Sequence, residues 1–196
     1  MTIATPFTVL DQSHQAMRAV VAAVRDDDWA RSTPCEQWNV AQVLRHAAGD
    51  QLAYVAAITG SGGPADNPFE PSPASLDGPQ DYLEAVLQTA AAAWSTVAAG
   101  TPDLPTPLPQ GAMGADDAAA AAALDSAVHA WDIAVATGQP SPLPADLAAQ
   151  LMPVATAIVE PLRAYGVYAA ALAPEPGDDA AATLLRYLGR HPGWTR

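Results

Sequence analysis

One cysteine, Cys35, stands in 196 residues, so no disulfide can form within the chain and a cysteine-rich zinc site is excluded. Lysine and arginine together number 8 against 21 acids, a net charge of -13. With no basic stripe to neutralise phosphates, nucleic acid and anionic membrane surfaces are excluded as partners. No window of ~20 apolar residues is free of charge and proline, which leaves no candidate membrane helix. The opening MTIATPFTVLDQSHQ lacks the basic region and apolar core of a secretion signal. A reducing, cytoplasmic location is the expectation. The run AAAAAAL at 118–124 is alanine flanked by Asp116, Asp117 and Asp125, which reads as an ordinary helix.

Half of the residues are hydrophobic and 15% are charged, so the chain is not disordered. Much of the apolar share is alanine, which favours closely packed helices. The length suits one domain with a sizeable core. From Thr8 to Arg25, Val9, Leu10, Met17, Val20, Val21 and Val24 recur at helical steps. After the aperiodic DDDWARSTPCEQW, Asn39 is a candidate N-cap for a second helix that ends at Gly60. Residues 60–79 are rich in Gly, Pro, Ser and Asp and read as a crossover loop. A third helix is expected over about 79–99 and a fourth from about Ala115 to Thr137, ended by Gly138-Gln-Pro140. Four long amphipathic helices make an all-α bundle. Beyond it, helices are expected over about 144–160, with Pro153 bending the first, and over 178–189. Tyr165–Leu172 between them is a candidate extended segment. The expected organisation is a bundle over 1–140 and a C-terminal extension over 141–196 packed on it.

In the fourth helix, Leu124-Asp-Ser-Ala-Val-His-Ala-Trp-Asp132 interrupts the alanines with an acid, an imidazole and a second acid. Asp125 and His129 at i and i+4 share one face. His46 lies mid-way along the second helix, next to the face marked by Val43, Ala47 and Leu52. Three N/O donors on two helices suit a divalent metal with an open position: zinc first, with nickel, iron or manganese also compatible. The same residues also fit a reading as hydrogen-bonded interior polar groups. Asp132 has two readings as well, as a partner that fixes a ligand's ring tautomer or as a cap or salt bridge. Trp38 and Trp131 read as packing aromatics. His14 and His191 stand outside the set. Arg45 and Arg163 are candidates for holding an anionic substrate, or they pair with the abundant acids.

Three segments taken together are more specific. Thr33-Pro-Cys-Glu-Gln-Trp38 followed by Asn39-Val-Ala-Gln-Val-Leu-Arg-His46, then Val128-His-Ala-Trp-Asp-Ile-Ala-Val-Ala-Thr-Gly138, and finally Leu188-Gly-Arg-His-Pro-Gly-Trp194 stand in this order. They resemble the actinobacterial metal-binding family related to the N-terminal domain of mycothiol-dependent maleylpyruvate isomerase, in the DinB-like superfamily, over nearly the whole chain. The resemblance implies a DinB-like four-helix bundle with long crossover loops, and a divalent metal held by a His on the second helix and a Glu-x-x-x-His pair on the fourth. By that resemblance His46, Asp125 and His129 are the ligands and Asp132 supports them, with Asp125 a departure because it is one methylene shorter than Glu. Cys35 and Arg190 take structural roles in the turn and the ending.

What the resemblance implies about activity is a metal-dependent thiol transferase or isomerase, with mycothiol as co-substrate and a small electrophile as substrate. A non-catalytic metal- or ligand-binding protein of stress response and a metal-dependent hydrolase are the alternatives. A counterpart of the isomerase's further C-terminal domain is not expected from this sequence, which weakens any transfer of its substrate. Alanine-rich helix faces permit close approach of a second copy, which makes a homodimer one expectation.

Overall fold

The computed structural model describes residues 3–195. Six helices carry the fold: α1 (Thr8–Ala22), α2 (Val40–Thr59), α3 (Pro79–Trp94), α4 (Ala115–Ala136), α5 (Ala145–Ala164) and α6 (Ala180–Tyr187). The only sheet among the described residues is a two-residue antiparallel pair, β1 (Leu104–Pro105) with β2 (Ala112–Met113). Helix α4 packs on α1, α2 and α5, while α3 closes the other side of α1 and α2. Seventeen of the 22 residues of α4 are buried, because alanine's short side chain lets three neighbours approach around its circumference. Beyond the exposed Asp116 and Asp117 of its first turn, the polar residues Ser126, His129 and Asp132 of α4 therefore lie inside the protein.

Local chemistry sets the ends of α2. Asn39 Oδ1 accepts from the Gln42 amide at 2.9 Å and the Asn39 amide donates to Gln42 Oε1 at 3.1 Å, a reciprocal cap whose loss costs about 1 kcal/mol. Gly60, at φ 77°, ends the helix in a left-handed conformation that glycine adopts without a Cβ penalty. Residues 60–78 then cross the molecule without regular structure, tied to α2 by Gln42 Nε2 donating to Pro71 O at 3.0 Å and Arg45 Nη2 to Ala74 O and Ser75 O. At Gly49 a Cβ would stand 3.0 Å from Pro68 Cγ, so any larger residue here would press the loop off the helix by a few tenths of an ångström.

Three expectations differ from what is observed. Helix α1 stops at Ala22 rather than Arg25, and Arg25 and Arg31 close on the buried Asp28 instead, at 3.2 and 2.7 Å. Helix α3 stops at Trp94 rather than 99, where the Ser95 and Thr96 hydroxyls donate to the carbonyls of Ala92 and Ala93, an alternative to continued helix. Tyr165–Leu172 forms no strand; it turns at Gly166, and Leu172 makes a single backbone bond to Arg186 O. Both Pro153 and Pro161 lie within α5, which runs on to Ala164.

His14 on α1 is buried, and its Nε2 bonds Gln51 Oε1 at 2.9 Å while Gln51 Nε2 donates to Ala122 O on α4. Burial, aided by the charge of Arg18, lowers the His14 pKa from 6.5 to about 4 against the opposing pull of the Gln51 bond. The unfolded chain takes up this proton below pH 6.5 and the folded chain refuses it until about pH 4. Stability from this group is therefore complete above pH 6.5 and declines as pH falls through that window. Urea unfolding at pH 7 and pH 4 is expected to show wild type losing up to roughly 3 kcal/mol more than His14→Gln. Equal losses in the two proteins would refute a neutral buried His14.

Candidate metal centre

Where α2 crosses α4, His46, Asp125 and His129 come together. His46 Nε2 and His129 Nε2 stand 3.4 and 3.3 Å from the same Asp125 Oδ1. One nitrogen or oxygen from each of the three lies within 4.8 Å of the others. These separations are long for hydrogen bonds. They match the edge of a tetrahedron around an ion with bonds of about 2.0–2.1 Å, which is about 3.3 Å. Asp125 Oδ2 is buried and has no hydrogen-bond partner, a vacancy that a buried carboxylate rarely tolerates. The three donors therefore fit a divalent cation in both spacing and type.

Each imidazole is held from behind. His46 Nδ1 donates to Pro68 O at 2.9 Å and His129 Nδ1 to Asp132 Oδ2 at 2.9 Å, which turns both Nε2 atoms toward Asp125. Asp132, fully buried, receives Arg190 Nε at 2.9 Å on one oxygen and Arg190 Nη2 at 2.8 Å on the other. Cys35 Sγ adds a contact of 3.2 Å to Asp132 Oδ2 and accepts from Arg190 Nη2 at 3.3 Å. Burial favours the neutral form of Asp132, yet the Arg190 charge and the bonds from His129 and Arg190 hold its carboxyl well below the usual range. Burial likewise opposes a charged His129, but Asp125, with help from Asp132, outweighs it and raises the imidazole well above its ordinary value. Asp125, His129, Asp132 and Arg190 thus form a network of charges that compensate one another.

Above the three donors opens a cavity of about 440 Å³. Its wall includes the crossover loop (Pro64, Pro68, Phe69), the β1–β2 turn (Pro107 to Pro109) and the end of α5 with the turn after it (Leu162 to Tyr168). Asp50 and Tyr54 continue the His46 face of α2 along this wall at successive i+4 steps. Burial first, then the charge of Asp125, raises the Asp50 pKa well above the carboxylate range, and burial pushes the Tyr168 hydroxyl up to about 12.

Residues 10–134 match the family described as the mycothiol maleylpyruvate isomerase N-terminal domain. The chain belongs to that family. Its fold is accordingly all-α and DinB-like. Two uncharacterized proteins of Mycobacterium tuberculosis, MT0763 of strain CDC 1551 / Oshkosh and Rv0738 of strain H37Rv, are each 32% identical to the chain over 191 residues, covering 94% of this chain and 97% of theirs. No solved structure matches it significantly.

Among the other residues that the sequence singled out, several lie elsewhere in this family member. His14 is occupied by Gln51, and neither it nor His191 lines the cavity. Arg45 is used on the crossover loop, and Arg163 on Glu160 and the carbonyls of Ala169 and Tyr187, so neither cation reaches the site. Trp131 is fully buried packing. Trp38 packs against the apolar cluster of α1, α2 and α4 as expected, and in addition its ring centroid lies 4.6 Å from that of His46 and it lines the cavity. Arg190 and Cys35, expected as anchors of a turn and an ending, also stand in the cavity wall. Asp50 escaped notice, although its i+4 spacing from His46 repeats the spacing of Asp125 and His129.

Proposed function

We propose that this chain holds one divalent metal, zinc before nickel, through His46, Asp125 and His129, and acts as a cytoplasmic mycothiol-dependent transferase or isomerase on a small electrophile. The observation that carries the reading is the convergence of three donors, with an orphaned Asp125 Oδ2, at the floor of a cavity large enough for a small molecule. A bound divalent metal supplies Lewis acidity, which favours a thiolate over a thiol at neutral pH. The chain's own residues then have distinct tasks. Pro68 O and Asp132 orient the two imidazoles, and Trp38 and Phe69 shield His46 from solvent on the loop side. Asp50, whose neutral form is favoured by burial and by the charge of Asp125, lines the same cavity.

The same reading treats residues 1–140 as the metal-binding unit and 141–196 as an extension that completes it, since Arg190 comes from the latter. A second copy is not required by this chemistry. Family membership supports thiol use, because the family's description names mycothiol. The test is consumption of mycothiol with a panel of small electrophiles by the zinc-loaded chain. A rate above background that chelator abolishes is expected. Background consumption throughout would remove the transferase reading, and absence also of any thiol-dependent isomerisation of the electrophiles would leave a binding protein, whereas metal-dependent ester cleavage without thiol would make it a hydrolase.

A further inference from the structure

Large apolar side chains are seldom left in solvent without a reason when they cluster. Five are exposed among the described residues, and three of them, Phe69 at 56%, Tyr165 at 74% and Val167 at 41%, line the same cavity. They come from two segments far apart in sequence, the crossover loop and the turn after α5, so local sequence does not explain their meeting. The wall also includes the apolar side chains of Trp38, Leu108, Ile158 and Leu162. Charge is distributed in the opposite sense. Arg190 is the only arginine or lysine among the lining residues, and both oxygens of Asp132 already engage it. The carboxyl groups among the lining residues are Asp50 and Asp125, beside the two histidines.

We infer that this cavity selects a substrate with one metal-binding head and an apolar body, an alkyl chain or aryl ring, that leaves the site between Phe69 and Val167. A compact dicarboxylate is disfavoured, because among the described residues no cation other than the engaged Arg190 lines the cavity to pair with a second carboxylate. This rests on the metal reading of the same floor, and it names the class of electrophile that reading leaves open. A body of this kind gains affinity from every methylene it buries, about three- to fourfold each.

The test uses n-alkyl hydroxamic acids from acetyl to octanoyl against the zinc-loaded chain by titration calorimetry, with maleate as the dicarboxylate and 1-alkanols against the metal-free chain. The dissociation constant is expected to fall about three- to fourfold per methylene over several steps, and maleate to bind more weakly than octanoyl hydroxamate. The double variant Phe69→Ser/Val167→Ser changes only exposed side chains and is expected to flatten the dependence. A dependence already flat in wild type, or tighter binding of maleate, overturns the inference. If zinc has no effect on hydroxamate binding while the alkanols still show the chain-length slope, the metal reading falls and the apolar cavity stands. Stoichiometric zinc with every series flat has the converse meaning.

Discussion

Replacing His46 or His129 by alanine is expected to reduce bound zinc from about one equivalent per chain to less than about a tenth, while the helical circular dichroism stays at the wild-type level. Each substitution removes one of three protein donors, which costs more than the roughly 10–100-fold lost when an outer partner of a ligand is removed. The helices survive because neither imidazole belongs to the apolar clusters that hold them: α2 keeps its Asn39 cap and its buried Val40, Val43 and Leu44, and α4 keeps Leu124, Trp131 and Ile133. The two variants differ locally. His46→Ala also releases Pro68 O, one anchor of the crossover loop, whereas His129→Ala leaves Asp132 paired with Arg190. Elemental mass spectrometry on protein purified without chelator or His tag decides the matter. Equal zinc in wild type and both variants would place any metal elsewhere.

The elements that bring these two histidines together were legible because their signals are local. Helical spacing of apolar residues, Asn39 before Val40, and Gly60 after Thr59 each act within a turn or two, and α2 and α4 lie within a residue or two of where periodicity puts them. The i, i+4 pair of Asp125 and His129 is equally local. Pairing it with His46 needed something beyond spacing, since many helix faces carry a histidine, and the ordered motifs supplied it. The end of α1 was misplaced although its partners are local: Arg25 and Arg31 pair with Asp28 within seven residues, and what periodicity does not show is that Asp28 is buried.

The parts of the site that were not legible are those formed by distant segments. Arg190 meets Asp132 across 58 positions of sequence and Cys35 across 155. A Gly-Arg ending and a Pro-Cys turn, read separately, suggest two anchors; only their juxtaposition shows one shared network behind His129. The apolar mouth has the same origin, because Phe69 belongs to a segment read as a crossover loop and Val167 to one read as a candidate extended segment, and neither reading brings the two together. Asp50 is the instructive exception. Its spacing from His46 was visible, but an acid on a helix usually faces water, and only the packing of α4 against α2 turns it toward Asp125.

Arg190→Leu is expected to lower zinc affinity about 10–100-fold and to destabilise the protein by roughly 3–5 kcal/mol. At about 2–4 °C per kcal/mol for a chain of this size, the melting temperature falls by roughly 6–20 °C. The two effects have one cause. Asp132 is fully buried, and without Arg190 its carboxylate keeps only His129 and Cys35, so its charge is left largely uncompensated and it no longer holds the imidazole in a fixed orientation. Stability and positioning separate in the double variant Arg190→Leu/Asp132→Asn. Removing both charges restores much of the melting temperature, because no unpaired ion remains inside. Zinc affinity stays low, because a neutral amide does not hold His129 as a carboxylate does. Arg190→Lys should fall between wild type and Arg190→Leu in both measurements, since an ammonium keeps the charge but cannot bridge both Asp132 oxygens as the guanidinium does. Recovery of affinity together with melting temperature in the double variant would mean that Arg190 only neutralises a buried charge, and that the C-terminal segment has no part in orienting the metal ligand.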